Sequence, residues 1–167
     1  MKNNNSIKPV VAVGIGAALF FVLGRFVAIP SPVPNTNISL QYAVLALLAA
    51  MYGPVVGGLI GFIGHTLIDL SWGGSPWWSW VIASAFVGVV VGLFAKKLDL
   101  QEGEFGKKKM AVFTVANIAA HLLAWVVVAP VLDILIYAEP VKKVFAQGAF
   151  AAVSNIITAV VVGGLLV

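Results

Sequence analysis

The stretch GHTLIDLSWGGSPWWSW, residues 64–80, decides the fold of this chain. In it an apolar, glycine-rich segment runs into a Gly-Gly-Ser-Pro turn, and the chain continues through a cluster of tryptophans. Glycine and proline at such a turn end one helix and start the next. Clustered tryptophans are typical of the boundary between a membrane and water. The stretch therefore predicts two helices that meet at the mouth of a membrane protein, a place suited to a polar ligand.

The spacing of glycines predicts how these two helices pack. Gly53, Gly57 and Gly61 recur every four residues, so one stripe of the first helix has almost no side chains and another helix can approach closely. The second helix has a face formed by Trp77, Trp80, Ser84, Gly88 and Gly92. We expect this face to be aromatic and polar at its start and closely packed at its end.

The composition is that of an integral membrane protein. Hydrophobic residues make up 61% and charged residues 10% of the 167 residues, with a mean hydropathy of +1.06, whereas soluble domains have roughly 25% charged residues. The absence of cysteine excludes disulfides and thiolate chemistry. The length leaves room for about six spans of about 20 apolar residues. We predict an all-α, six-helix bundle forming one domain, residues 1–167, with spans at about 9–29, 39–52, 54–70, 77–95, 110–129 and 144–167.

The positions of the basic residues predict the topology. The formal net charge is +4, and five of the ten basic residues lie in the loop at 96–109. With Lys2 and Lys8, seven of the ten basic residues fall on one side of the membrane, and such residues concentrate on the cytoplasmic side. We therefore predict that both termini are cytoplasmic. Because membrane topology explains the charge, lipid is an expected partner and nucleic acid is not.

Small residues in the first predicted helix form a packing surface. Ala12 and Gly16 make one pair four residues apart, and Gly14 and Ala18 make another. Such pairs let two helices approach closely in a membrane. Two interpretations stay open: contact inside this protein, and a docking face for another membrane subunit.

The segment IPSPVPNTN, residues 29–37, cannot be helical, because proline fixes its own backbone and pushes the preceding residue toward an extended conformation. It predicts an ordered loop or a re-entrant lid. Asn35 and Asn37 there can hydrogen-bond a ligand. Capping of the following helix by Asn37 or Ser39 is an equally good interpretation.

A polar stripe crosses the fifth predicted helix. Asn117, His121 and Trp125 follow one another at four-residue spacing in an otherwise apolar segment. Polar groups are unfavourable in hydrocarbon, so the stripe faces the bundle or a cavity. The segment at 130–140 is expected to form an outer loop that bears Asp133, and the sixth helix carries Gln147 and Asn155.

These features together predict a binding site that performs no covalent chemistry. Three indoles supply flat apolar faces for a planar ring, and neutral amides and an imidazole fix its polar edge. The proline-rich segment and the loop with Asp133 cover the site. The predicted substrate-binding residues are Asn35, Asn37, Trp77, Trp80, Asn117, His121, Trp125, Asp133, Gln147 and Asn155.

Reactive chemistry has weaker support. His65 and Asp69 lie four residues apart on one helix face, and their spacing fits a structural contact. With His121 they also fit the proton relay of a stand-alone secondary transporter or the ligands of a metal enzyme. HExxH, nucleophile-elbow and Walker motifs are all missing. We therefore predict no catalytic residues, no metal, no cofactor and no ATP hydrolysis by this chain.

Four blocks of sequence carry a family resemblance: GRFVAIPSPVPNTNI, YGPVVGGLIGFIGHTLIDL, GSPWWSWVI and APVLDILIYAEPVKKVFAQG. Over nearly its whole length the chain resembles the substrate-binding S components of energy-coupling factor (ECF) vitamin transporters, in the riboflavin-type branch. The resemblance rests on long blocks in the same order, and not on one short motif.

The resemblance implies a six-helix subunit in a bacterial cell membrane that captures a vitamin from outside with high affinity. Its partners would be a transmembrane coupling subunit and two ATP-binding-cassette ATPases, and it would deliver its substrate by toppling against the coupling subunit. The family's small-residue surface would correspond here to Ala12, Gly14, Gly16 and Ala18. The substrate stays open among hydroxymethylpyrimidine, a pyridoxine-like vitamin and riboflavin.

Overall fold

The computed structural model describes residues 7–101 and 105–166. Residues 1–6, 102–104 and 167 lie outside this part. Three parts of the predictions therefore fall outside the described residues: Lys2, the middle of the basic loop and the last residue of the sixth predicted span.

The chain is mostly helical, as predicted. In the described residues the helices are α1 (Ile7–Phe26), α2 (Gln41–Tyr52), α3 (Pro54–Ser71), α4 (Trp78–Gly92), α5 (Ala95–Leu98), α6 (Lys107–Leu122), α7 (Ala129–Tyr137) and α8 (Val141–Leu166). A π-helical segment, Leu123–Val128, joins α6 to α7. Two short antiparallel strands, β1 (Ile29–Pro30) and β2 (Asn37–Ile38), lie between α1 and α2.

Among the described residues, four helices are long and apolar enough to cross a membrane. They are Ile7–Phe26, Pro54–Ser71, the continuous helix Lys107–Tyr137 and Val141–Leu166, and α2 and α4 are shorter apolar helices. Many large apolar side chains are exposed on the outer faces of the bundle, as expected where hydrocarbon surrounds a protein. The chain is therefore a multi-pass membrane protein, while the six-span count and the cytoplasmic termini stay predictions.

The described part holds more helices than the predicted six. α5 adds one turn in the basic loop, and the outer loop predicted at 130–140 is wrong over most of its length because α7 is helical to Tyr137. Proline normally ends a helix because its ring clashes with the carbonyl group four residues earlier. Here Pro130 follows the π-helical segment, whose wider turn bonds residues five apart and makes room for the ring.

The predicted close packing of α3 on α4 is confirmed. A Cβ atom added to Gly57 would meet the carbonyl group of Gly88, and one added to Gly88 would meet the carbonyl group of Gly57. A Cβ atom on Gly61 would meet the carbonyl group of Ser84, and Gly92 lies equally close to the start of α3. Backbone therefore contacts backbone along this pair, which fixes the start of α4 beside the end of α3.

α2 lies in the centre of the bundle, in contact with α1, α3, α4 and α8. Its alanines at 43, 46, 49 and 50 are buried, and their small side chains let four helices surround a helix of 12 residues. Among the largest fully buried side chains of the described chain are Trp125, Phe20, Phe113, Leu45 and Ile60. The alanine-rich composition of the second predicted span thus belongs to an internal helix.

The two small-residue pairs of α1 face different ways. Ala12 and Gly16 are buried, and a Cβ atom on Gly16 would meet the side chain of Ile60. Gly14 and Ala18 are exposed, and no described atom outside α1 lies within 4 Å of a Cβ atom added to Gly14. Internal packing therefore accounts for the first pair only, and the second pair lies on the surface.

The proline-rich segment is not helical, as predicted. β1 and β2 form a hairpin in which Ile29 lies opposite Ile38. Across its turn the hydroxyl groups of Ser31 and Thr36 are hydrogen-bonded, 2.6 Å apart. The hairpin therefore has an ordered tip.

Candidate functional site

A cavity of about 670 Å³ opens at the end of the bundle where α3 ends and α4 begins. The hairpin, the start of α2, α7 and the first half of α8 complete its walls. Its described lining residues are Gly24, Asn35, Thr36, Asn37, Ser39, Gln41, Tyr42, His65, Ile68, Asp69, Trp72, Trp77, Trp80, Trp125, Asp133, Glu139, Lys143, Gln147, Ala151 and Asn155. The volume lies in the range of small-molecule sites, roughly 300–1,000 Å³.

The fold brings most of the predicted site residues together. Eight of the ten line the cavity, namely Asn35, Asn37, Trp77, Trp80, Trp125, Asp133, Gln147 and Asn155. The other two, Asn117 and His121, are fully buried in α6 and do not line it.

Asp133 organises the aromatic wall of the cavity. Its Oδ1 atom accepts hydrogen bonds from the indole N–H of Trp77, at 2.7 Å, and from the hydroxyl group of Ser79. Its Oδ2 atom accepts the indole N–H of Trp80 at 3.0 Å. The residue is only 2% exposed, so a buried carboxylate satisfied by three donors holds two indoles in place. The expectation that Asp133 lies on a covering loop is therefore wrong.

The aromatic rings at the cavity form two pairs. The rings of Trp80 and Trp125 lie 5.1 Å apart, and Trp77 stacks on Tyr137 with centroids 4.0 Å apart. The Tyr137 hydroxyl also accepts the backbone N–H of Trp78 at 2.9 Å, which ties α7 to the start of α4. Aromatic faces fixed in this way offer flat apolar contacts to a planar ligand.

Trp125 connects the cavity to the buried polar residues of α6. Its indole N–H donates to Nδ1 of His121 at 3.0 Å. Since an indole N–H is only a donor, Nδ1 is unprotonated, and a neutral imidazole then carries its proton on Nε2. In the described residues, Nε2 of His121 and Oδ1 of Asn117 are buried without hydrogen-bond partners. The predicted polar stripe thus faces the bundle, and His121 in it binds the indole N–H of Trp125.

The tip of the hairpin is fixed to α8. The Gln147 side-chain amide donates to the carbonyl oxygen of Pro34 at 2.8 Å. Asn35, directly after it, has a left-handed conformation with φ 57°, which asparagine adopts more readily than most residues. The hairpin therefore lines the cavity, with Thr36 buried at 4% exposure, while its role as a lid stays a prediction.

Sequence reasoning missed the polar residues at the start of α2. Gln41 and Tyr42 line the cavity, and the Ser39 hydroxyl accepts the backbone N–H of Gln41 at 3.1 Å. Of the two predicted helix caps, Ser39 is therefore the one that bonds to the helix start. The available signal was the Gln-Tyr pair directly before an apolar run.

A series of polar contacts leads from the cavity into the bundle. Asp69 Oδ1 lies 3.7 Å from Nε2 of His65, and Nδ1 of His65 lies 2.6 Å from the hydroxyl of Ser84. That hydroxyl is 2.8 Å from the hydroxyl of Tyr42. Asp69 Oδ2 also accepts the backbone N–H of Trp77 at 2.7 Å. The structural contact expected from the spacing of His65 and Asp69 is therefore present, and the bond between Asp69 and the Trp77 N–H joins the end of α3 to the start of α4.

The remaining charges near the cavity are partnered. Glu139 and Lys143 form an ion pair of 2.6 Å on its rim. The guanidinium of Arg25 lies over the ring of Trp72, 3.7 Å from its centroid. Across residues 7–101 and 105–166, no three His, Asp or Glu side chains are grouped as a metal site requires.

Comparison with known proteins gives a family. Residues 4–167 match the model of the family described as ECF-type riboflavin transporter, S component. A UPF0397 protein of Enterococcus faecalis is 51% identical over 166 residues, which are 99% of this chain and 91% of that protein. UPF0397 proteins of an Exiguobacterium species and of Streptococcus agalactiae are 54% and 55% identical over 164 residues, with 98% of this chain and 90% of each relative covered.

The fold agrees with this family. The chain resembles a crystal structure described as the S-component for biotin from an ECF-type ABC transporter, with a TM-score of 0.64 over 99% of this chain and 94% of that one. At 18% identity this likeness shows the fold alone. The matched family is one of transporter subunits and is not an enzyme family. The chain therefore belongs to the ECF-type riboflavin transporter S component family.

Proposed function

We propose that this chain is the high-affinity capture subunit of an ATP-driven ECF-type vitamin uptake transporter in the bacterial cell membrane. Its ligand is a small planar heterocycle, such as hydroxymethylpyrimidine, a pyridoxine-like vitamin or riboflavin, taken up from outside. The chain performs no covalent chemistry on it.

The observation that carries this proposal is the aromatic cavity. Trp77, Trp80 and Trp125 line it, and the first two are held by the carboxylate of Asp133. Rings that are fixed before binding lose little conformational entropy when a ligand stacks on them, which favours high affinity. No reactive group is needed for such a site.

Polar side chains complete the site. The Asn155 amide lines the cavity, and within the described residues its side chain makes no hydrogen bond, so it is free to bind the ligand edge. Asn35 and Asn37 lie on the hairpin above it, which Gln147 anchors through Pro34. A lid held by a single amide can open for entry and close over a bound ring.

His121 belongs to the proposed site through Trp125, and Asn117 lies four residues before His121 in α6. His121 accepts the Trp125 indole N–H, so loss of the imidazole frees the indole to turn. We expect His121→Ala and Asn117→Ala to weaken ligand binding, measured by quenching of tryptophan fluorescence. If both variants bound the ligand within twofold of the unchanged chain, their inclusion in the site would be wrong.

The partners in this proposal are a transmembrane coupling subunit and two ATP-binding-cassette ATPases. The coupling subunit docks on α1, where Gly14 and Ala18 are exposed. Ala12 and Gly16 instead support α1 from inside the bundle. The chain topples against the coupling subunit, which an outer surface of small and apolar side chains permits.

A second candidate is a stand-alone, proton-coupled secondary transporter. The series of polar contacts from Asp69 through His65 and Ser84 to Tyr42 favours it. Tyr42 meets His121 only ring edge to ring face, with centroids 5.2 Å apart, so the relay that links all three ionisable residues is broken at this point. The capture subunit is therefore the better supported function.

Reconstitution in vesicles separates the two functions. We expect the purified chain alone to bind a labelled vitamin but not to accumulate it in vesicles, with or without a proton gradient. Addition of the coupling subunit, the ATPases and ATP should start uptake. Accumulation by the chain alone, driven by the proton gradient, would instead establish the secondary transporter.

A further inference from the structure

We infer that Asp69 selects the ligand, and that the cavity takes a flat heteroaromatic ring which presents an amino group or a protonated ring nitrogen to this carboxylate. The inference rests on the proposed capture function and adds the class of ligand to it.

Three carboxylates and one ammonium group belong to the described lining. Glu139 and Lys143 are paired with each other at 2.6 Å. Asp133 is occupied by two indole N–H groups and a hydroxyl. Asp69 is therefore the carboxylate of the cavity whose capacity to accept hydrogen bonds is not filled by the protein.

The unused hydrogen-bond acceptor of Asp69 is one oxygen, Oδ1. Oδ2 accepts the backbone N–H of Trp77 at 2.7 Å. Oδ1 lies 3.7 Å from Nε2 of His65, beyond hydrogen-bonding distance, and nothing else between residues 7–101 and 105–166 donates to it. The nearby cation Arg25 lies over the ring of Trp72 instead. A carboxylate oxygen accepts about two hydrogen bonds, so Oδ1 is open to donors from a ligand.

The aromatic wall favours the same class of ligand. Trp72, Trp77, Trp80 and Trp125 all line the cavity, and the face of an indole attracts positive charge. A ring with an amino group or a protonated nitrogen is stabilised by both the indole faces and the carboxylate. A ring with a carbonyl oxygen at that edge sets one acceptor against another, which is unfavourable because neither group is then paired.

The test exchanges a hydrogen-bond donor for an acceptor on the ligand, and an acceptor for a donor on the side chain at position 69. The probes are hydroxymethylpyrimidine, which carries an amino group, and its analogue in which an oxo group replaces that amino group. Asp69→Asn keeps an oxygen for the Trp77 N–H and places an NH₂ group where Oδ1 stood. Affinities are measured by quenching of tryptophan fluorescence in detergent, with pyridoxine and riboflavin in the same panel. Asp99→Asn, in an exposed carboxylate that does not line the cavity, is the control.

We expect the unchanged chain to bind the amino probe or pyridoxine most tightly. Asp69→Asn should weaken the binding of that ligand by about tenfold or more and shift the preference toward the oxo probe, whereas Asp99→Asn should leave the order of affinities unchanged. A uniform loss for all probes would make Asp69 a purely structural residue and overturn the inference. So would preference of the unchanged chain for the oxo probe or for riboflavin, or an Asp69→Asn variant with unchanged preference. Failure of the unchanged chain to bind any member of the panel would instead contradict the proposed function itself.

Discussion

Replacing Asp133 by asparagine tests how the aromatic wall is built. The substitution keeps the size of the side chain but turns one acceptor oxygen into an NH₂ donor. Trp77 and Ser79 donate to one oxygen of Asp133 and Trp80 donates to the other, so either orientation of the amide sets an N–H group against an indole N–H. At least one indole therefore loses its acceptor.

The magnitude follows from that lost bond. A hydrogen bond to a charged acceptor contributes about 1.5–3 kcal/mol, which is a factor of about 10–150 in an equilibrium constant. We expect Asp133→Asn to lower the midpoint temperature of unfolding and to weaken ligand binding by about tenfold or more. The first quantity is measured by thermal denaturation in detergent, and the second by titration against the vitamin that the unchanged chain binds.

Asp99→Asn is the matched control for this prediction. Asp99 is exposed and has a left-handed backbone with φ 45°, a conformation that asparagine also adopts. We expect this variant to unfold and to bind as the unchanged chain does. If Asp133→Asn also left the unfolding midpoint and the ligand affinity unchanged, the buried carboxylate would not be what holds the indoles, and the account of the site would be wrong.

Two further predictions concern packing and the lid. Gly88→Ala should destabilise the chain by about 1–3 kcal/mol, because the added methyl group meets the backbone of Gly57. Gly74 has open space around it, so the control Gly74→Ala should not change the midpoint of unfolding. Equal midpoints for the two variants would contradict the close approach of α3 and α4. Gln147→Leu removes the hydrogen bond to Pro34, so stopped-flow fluorescence should show faster association and faster dissociation of the ligand, the latter by about two- to tenfold. Unchanged rates would show that this bond does not hold the lid.

Local patterns were sufficient for the parts of the fold that depend on one or two segments. The four-residue spacing of Gly53, Gly57 and Gly61 predicts a close partner helix, and α4 is that partner. The prolines between Ile29 and Pro34 exclude a helix, and the hairpin lies there. In both cases the steric property of single residues determines the local backbone, whatever surrounds it.

The helix through Pro130 could not be predicted in this way. Proline ends most helices, and the π-helical segment that lets it continue packs against an element distant in sequence. The carbonyl group of Trp125, inside that segment, lies where a Cβ atom of Gly148 would be. Only the folded arrangement of α8 against this segment shows why the wider turn is accommodated there.

The sequence was sufficient to predict which residue types form the candidate site, but not which of its side chains hydrogen-bond to each other. The aromatic and amide residues were recognised because polar and aromatic side chains are unusual in apolar helices. That Asp133 bonds Trp77 and Trp80, more than 50 positions away, depends on how α7 crosses α4. Tyr42 was missed for the same reason, since its hydroxyl meets Ser84 only after α2 is enclosed by the bundle.

The central claim is that this chain captures a vitamin, and native mass spectrometry of the chain purified in detergent tests it most directly. The 17.5 kDa chain is expressed in rich medium, and any added mass is identified against hydroxymethylpyrimidine, pyridoxine and riboflavin standards. We predict a one-to-one complex with one flat heterocyclic vitamin or precursor. A chain that stays unliganded with every standard at saturating concentration, and that brings no ATPase subunits with it from its host, would contradict the claim.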